Sequence, residues 1–419
     1  MTSSLVLGID LGTSGVRIAV LDRSNTIQYS TSVPYDVGLN QPDGWTRACS
    51  TLIARIPAEQ RYSIKALAVD GTSGTLLACD STGRPQGEAL LYSEACQGFE
   101  LQLQKLVPEG GPASSNSGSL ARALQLTKVY GPSTLLRHQA DWINGWFLGD
   151  WTWGEEGNNL RLGWNLENHS WPEALTKQPW LNRLPIIRPS GGRLGTIASA
   201  RALELGLPDD AQIVAGTTDS NAAVLATDPG DDDGITVLGT TLVMKRFTTV
   251  PIHGPGITSH RVGGRWLCGG ASNAGAGVLR QFFNDELLTE LSRQINPDTN
   301  SGLIFRPLPR PGERFPVNDP SLMPILEPRP VSDALFLQGL LEGLADIEAQ
   351  GWHTLTALGA KPPKRLISIG GGARNPQWRR IRERRLGVPV ITSQQQPAAG
   401  VARLALASLN ESRPWTEQG

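Results

Sequence analysis

The stretch Gly8-Ile9-Asp10-Leu11-Gly12-Thr13-Ser14-Gly15 decides the fold. It lies between two apolar runs, Leu5–Asp10 and Val16–Asp22. Two short apolar runs joined by a glycine-rich turn form a β-hairpin. Glycines in the turn expose backbone N–H groups and the hydroxyls add donors, and both suit phosphate oxygens. Asp10, at the end of the first run, is placed where a carboxylate can hold magnesium through water. The same residue types also favour an ordinary tight turn, so the stretch alone leaves both readings open. No G-x-x-x-x-G-K-[ST] segment occurs, which excludes a P-loop enzyme.

Working outward, a third apolar run, Ala66–Val69, ends in Asp70-Gly71-Thr72-Ser73-Gly74. Between about Ser119 and Trp171 the leucine spacing is helical. Strand character returns at Gln212–Ala215 and is followed by Gly216-Thr217-Thr218-Asp219. A second hairpin is expected at Ile235–Leu238, Gly239-Thr240-Thr241 and Leu242–Phe247. In it Leu238 takes the place of Asp10, so the metal-side acid belongs to the first copy alone. A long helix is expected over Ser332–Leu358, a strand over Arg365–Ile369, and helices over Pro376–Leu386 and Ala398–Ser408. The recurring hairpin implies a duplicated α/β architecture with a cleft between the copies. The acidic Asp228–Gly234 segment divides them into domains 1–228 and 229–419. Phe305–Pro330 is a proline-rich connection inside the second.

Bulk composition narrows the function classes. The chain has 419 residues and a formal net charge of -1, so no polyanionic partner is indicated. No apolar run approaches the ~20 residues of a membrane span. Met1–Ser4 runs directly into the first strand, without the pattern of a signal peptide. Cys49, Cys79, Cys96 and Cys268 form no C-x-x-C pair, which fits thiols in a reducing, cytoplasmic compartment. The five histidines show no metal-ligand spacing. Trp142, Trp146, Trp151, Trp153, Trp164 and Trp171 are expected to pack in the core rather than stack on a sugar. The basic run Arg379–Arg385 is expected to be the solvated face of a helix packed through Trp378, Ile381 and Leu386, not a nucleic-acid site.

Three further segments carry chemistry. Gly239-Thr240-Thr241 offers a second phosphate clamp, though a plain turn has the same composition. Gly370-Gly371-Gly372, followed by Asn375, suits a flat ring lying close to the backbone, with Asn375 as a hydrogen-bonding group. An Asn there is equally a helix N-cap. Asp219 follows a strand and opens an apolar helix, so it can serve as an N-cap, as the base for an attacking hydroxyl, or as both.

Taken in order, these motifs resemble the FGGY carbohydrate kinase family over nearly the whole chain. Gly8–Ser14 is similar to its first phosphate motif and Ala215–Asp219 to the segment bearing its catalytic base. Val237–Thr241 is similar to its second phosphate motif, Ile369–Asn375 with Gly387-Val388-Pro389-Val390 to its adenosine motif, and Gly400-Val401-Ala402 to its closing helix. The resemblance implies two actin-like (ribonuclease-H-like) domains, with ATP and Mg2+ as cofactors and a small sugar as partner. It implies that Asp219 is the general base and Asp10 the metal-side acid, with Asp10, Ser73 and Asp219 facing the sugar. Gly12, Thr13, Ser14, Gly239 and Thr240 would grip phosphates, and Gly371, Gly372 and Asn375 the nucleoside. Around Leu90–Glu94 the chain departs from the family's W-x-D-x-R pattern: Tyr92 and Glu94 replace Trp and Asp, and no arginine follows. Arg384 stands where an acid is common. The short length and V-D-G-T-S-G-T are most like the cyanobacterial and plant xylulose or ribulose kinases, and D-ribulose is the expected substrate. The rival class is an ATP-binding regulator or slow ATPase on the same fold.

Overall fold

Strand β1 (Leu5–Leu11) turns through Gly12–Ser14 into β2 (Gly15–Leu21), and β3 (Ile27–Pro34) continues the meander. The computed structural model describes residues 4–410; the start of the Met1–Ser4 segment lies outside them. β4 (Ile64–Gly71) lies beside β1. Then come two short two-stranded pairs, β5 (Leu76–Cys79) with β6 (Leu135–His138), and β7 (Trp153–Glu155) with β8 (Ile186–Arg188). β9 (Arg193–Thr196) and β10 (Gln212–Thr218) complete the first large sheet, in the order β3-β2-β1-β4-β10-β9. β1, β4 and β10 are mutually parallel, so their C-terminal ends share one edge.

Both faces of this sheet are covered. Leu7, Ile9, Leu67, Val69 and Ile213 join a core with Trp45, Ile53, Ile143 and Phe147 from helices on one side. The opposite face is built of small residues. A Cβ on Gly8 would sit 1.9 Å from the Ala398 carbonyl oxygen, and one on Gly400 would sit 1.9 Å from that of Ala222. Glycine at these points lets helix Pro397–Asn410 lie close against both β1 and helix Asp219–Ala226. This helix, assigned by the sequence pattern to the second domain, therefore belongs to the first unit. That unit runs to Ala226 and includes Arg261–Gly264 and residues 395–410. A helical repeat marks an apolar face without saying which sheet it covers.

The second unit holds β11 (Asp233–Leu238), β12 (Leu242–Thr248), β13 (Ile257–Val262) as far as His260, β14 (Arg265–Ser272), β15 (Arg365–Ile369) and β16 (Val390–Thr392), in the order β13-β14-β12-β11-β15-β16. Again an antiparallel hairpin is followed by parallel pairing, β11 with β15 and β15 with β16. Helix Asp333–Ala357, capped by Ser332, supplies Phe336, Leu337, Leu340, Leu341 and Leu344 to the core. The repeated meander-plus-parallel topology is the actin-like, ribonuclease-H-like fold, present once in each unit.

The helix of the arginine run packs through Trp378, Ile381 and Leu386 as expected, but Arg382 does not lie on its solvated face. Arg382 is fully buried and pairs bidentately with Glu348, with Nε–Oε2 at 2.6 Å and Nη2–Oε1 at 2.7 Å. Arg380 pairs with Asp298, and Arg384 and Arg385 with Glu342. Arg380, Arg382, Arg384 and Arg385 are thus all paired with acids of their own unit. Trp142 and Trp146 are buried in the first unit's core, and Trp142 meets Trp45 edge-on.

Candidate active site

In the first unit the three residues expected to face the sugar emerge at one edge. Asp10 is the penultimate residue of β1, Ser73 follows the end of β4, and Asp219 follows the end of β10. The carboxyl ends of parallel strands are where ligands bind in such sheets. Thr13 and Ser14 are exposed at the tip of the β1–β2 turn, while Gly12 and Gly15 are buried and close it through Gly12 N–H to Gly15 O, 3.0 Å. Ser73 is half-buried. Asp219 opens its helix and accepts the Ser220 N–H at 2.8 Å.

Sequence reasoning missed Asp70. It pairs in register with Asp10 on one side and Thr217 on the other. It is fully buried, and neither carboxyl oxygen has a hydrogen-bond partner. Burial, with the charges of Asp10 and Asp219 adding to it, pushes the Asp70 carboxyl well above the usual carboxylate range. Burial also raises Asp10, against the neighbouring Asp70 carboxyl and the Arg17 guanidinium, which donates to Asp10 Oδ2 at 3.3 Å. The signal was available: Val69-Asp70-Gly71-Thr72 repeats the order of Ile9-Asp10-Leu11-Gly12, an apolar strand ending in Asp before a turn.

A second missed group aims Asp219. Between Val214 and Thr217 the register of β10 on β4 shifts, and a Cβ on Gly216 would lie 1.9 Å from the Val69 carbonyl oxygen. The bulge is held by Ser190, whose hydroxyl donates to Gly216 O at 2.8 Å and whose N–H donates to Glu156 Oε1 at 3.2 Å. Bulges of this kind re-aim the residues that follow. Burial pushes the Glu156 carboxyl up to about 7, with the Ser190 N–H and Arg261 opposing.

In the second unit the turn Gly239–Thr241 ends β11, and Gly371–Arg374 follows the neighbouring β15. Thr240 is exposed. The triple glycine divides by role. Gly370 has φ of 91°, Gly372 has no room for a Cβ beside Trp378, and a Cβ on Gly371 would meet nothing within 4 Å. Only Gly371 faces open space, so the two flanking glycines are explained by the turn and by packing. Asn375 is largely committed. Its Oδ1 accepts the N–H groups of Gln377 and Trp378, and its Nδ2 donates to Ser292 at 2.8 Å. It is the N-cap, which leaves one N–H for a ligand rather than a free amide.

The pairing register also corrects the comparison of the two hairpins. Leu11 and Leu238 both form the last pair before the turn, with Val16 and Leu242. Val237, not Leu238, therefore takes the place of Asp10, and it pairs with Ile369 where Asp10 pairs with Asp70. Among the described residues no group of three or more His, Cys, Asp or Glu side chains is arranged to hold a metal ion by itself. No helix among them is long and apolar enough to cross a membrane.

Residues 234–409 match the model of the C-terminal domain of the FGGY family of carbohydrate kinases. The match to this family covers the second half of the chain. A xylulose kinase of Lactococcus lactis is 24% identical over 96% of this chain and 87% of its own length. Among solved structures, a xyloylose kinase from Brucella ovis superposes with a TM-score of 0.84 at 20% identity, covering 98% of this chain and 92% of that one. A xylulose kinase from Rhodospirillum rubrum gives 0.82 at 18% identity, covering 98% and 91%. These likenesses establish the fold of the whole chain. With this C-terminal match and kinases among its relatives, the protein is a phosphotransferase.

Proposed function

We propose that this protein transfers the γ-phosphoryl group of ATP to a primary hydroxyl of a pentulose, with D-ribulose preferred over D-xylulose. One observation carries the reading: Asp10, Ser73 and Asp219 stand at the C-terminal ends of three neighbouring parallel strands. Asp219 accepts the proton of the attacking hydroxyl. The hydroxyl oxygen bonds to the γ-phosphorus while the bond from that phosphorus to the ADP oxygen breaks. Ser73 and Asp10 hold other hydroxyls. Gly12, Thr13 and Ser14 donate to phosphates from the first unit, and Gly239 and Thr240 from the second. Gly371 and Gly372, with the remaining N–H of Asn375, hold the nucleoside.

The donors fit magnesium bound mainly by phosphate and water. Asp10 supplies a carboxylate, and Asp70 behind it has two unpartnered oxygens. When bound, the ion neutralises the phosphate charge during transfer. A regulator or slow ATPase on this fold has no need of a base aimed by a bulge, and Asp219 favours the kinase.

The preference for D-ribulose rests on the V-D-G-T-S-G-T segment and on a site with few side-chain contacts. D-xylulose is the second reading, supported by the names of the relatives. A wrong hydroxyl that leaves one buried partner unpaired costs about 1–3 kcal/mol, so a preference of about tenfold to a hundredfold is expected. The test is kcat/KM for D-ribulose, D-xylulose, L-ribulose and glycerol under one set of conditions. Better use of glycerol than of either pentulose would rule out the pentulose site.

A further inference from the structure

We infer that Arg122 is a positioning residue of the sugar site: one buried guanidinium fixes the Ser73–Gly74 turn to the Leu91–Glu94 segment and so sets the shape of the surface that reads the sugar. This rests on the kinase reading above.

Arg122 projects from helix Ser119–Tyr130 and is fully buried. Its Nε donates to Leu91 O at 2.8 Å, Nη1 to Gly74 O at 3.1 Å, and Nη2 to Tyr92 O and Glu94 O, both at 2.7 Å. All four acceptors are backbone carbonyls rather than a carboxylate. Removing a guanidinium from water is costly, and here the return is geometric, because a rigid fork holds two chain segments at once.

Both neighbours of Ser73 are held while its own side chain stays half-exposed. Thr72 N–H and Oγ1 donate to Gln139 Oε1 at 3.0 and 2.8 Å, and Thr72 Oγ1 lies 2.7 Å from Thr75 Oγ1. Gly74, on the other side, is held by Arg122 and has φ of +101°. Thr75 Oγ1 in turn accepts the Tyr92 N–H at 3.2 Å. Tyr92 lies alongside: a Cβ on Gly74 would be 3.8 Å from the Tyr92 Cβ and 3.4 Å from Arg122 Nη1. The Tyr92 side chain is exposed at 40%. Ser73 and Tyr92 thus belong to two segments that one guanidinium ties together from beneath. That pairing suits a polyhydroxylated chain, with Ser73 taking a hydroxyl and the Tyr92 ring covering a C–H face. A lysine keeps the charge of Arg122 but not the fork, so the two segments would part while the fold persists.

The experiment measures sugar KM, ATP KM, kcat and the D-ribulose to D-xylulose ratio of kcat/KM in wild type, Arg122→Lys and Arg122→Gln, with thermal midpoints. The expected result is a sugar KM about tenfold or more higher and an epimer ratio drawn toward unity, with ATP KM unchanged. Thr75→Ala, which cuts the tie to the Tyr92 N–H and the hydroxyl contact with Thr72, gives the same signature in smaller measure and serves if neither Arg122 variant folds. Wild-type sugar KM and epimer ratio in the folded variants, even with a lowered midpoint, would overturn the inference. A wild type that phosphorylates no ketose or polyol would instead sink the kinase reading.

Discussion

The two hairpins share a topology and differ in what stands behind their turns. In the first unit Asp10 pairs with Asp70, both buried; in the second the corresponding pair is Val237 and Ile369. One sheet places acids at the edge where phosphate and sugar chemistry is expected. The other places aliphatic side chains there and keeps only the turn, Gly239–Thr241. Buried charge follows the same division. Glu348 of the second unit is fully paired with Arg382 and also accepts from Thr236 Oγ1 at 2.6 Å. Asp70 of the first unit has no hydrogen-bonded cation, only the Asp10 carboxyl beside it. Unpartnered buried acids reduce stability and are retained where they serve chemistry. Duplication of a fold therefore supplied two scaffolds, and side-chain identity at one register position separates their roles.

The largest expected effect is at the base. Asp219→Asn should lower sugar phosphorylation by at least ~100-fold while ATP affinity stays near wild type. Near-normal turnover would remove Asp219 from the chemistry. Next, Asp10→Ala should cripple turnover and raise the magnesium requirement, whereas Val237→Ala, its counterpart, should leave the requirement unchanged. A magnesium titration of both variants checks this, and equal responses would break the division of roles.

Stability should separate the units by sign. Glu348→Gln strips the charge partner from a buried arginine and should cost about 3–5 kcal/mol in denaturant unfolding. Asp70→Asn removes a buried carboxyl crowded by the Asp10 charge and should stabilise the fold at pH 8 by about 1 kcal/mol. Two destabilising results would contradict the contrast.

Glu156 gives a pH signature. Its folded-state carboxyl, raised by burial to about 7 from 4.5, keeps a proton that the unfolded chain releases earlier. Its contribution to stability is therefore full below about pH 4.5 and is lost as pH rises to about 7, by about 3 kcal/mol in total. Glu156→Gln should flatten that part of the stability–pH curve, and a slope identical to wild type would contradict the assignment.

The ends of the strands were legible because their chemistry is local. Gly8–Gly15, Gly216–Asp219 and Gly239–Thr241 each join an apolar run to turn residues within a few positions. β3 was not legible: Ile27–Pro34 is an edge strand rich in Ser, Thr, Gln and Tyr, with no buried residue to set a period. Asp70 escaped notice because its meaning lies in pairing with Asp10, some sixty residues earlier in the chain (roughly one domain's core away). Arg382 hid in a run whose composition suggests solvent, since burial depends on a helix face meeting Glu348. Arg122 had no motif around it, because its four acceptors are carbonyls, and carbonyls are invisible to residue patterns.

In the proposed reaction, acids of the first unit direct phosphoryl transfer to a sugar. The most direct test measures ADP and sugar phosphate together, with ATP and magnesium present, before and after adding D-ribulose. The account predicts that ADP formation rises on adding the sugar and matches the sugar phosphate formed mole for mole. ADP formation that no C3–C6 polyol or ketose accelerates would contradict it and favour an ATPase.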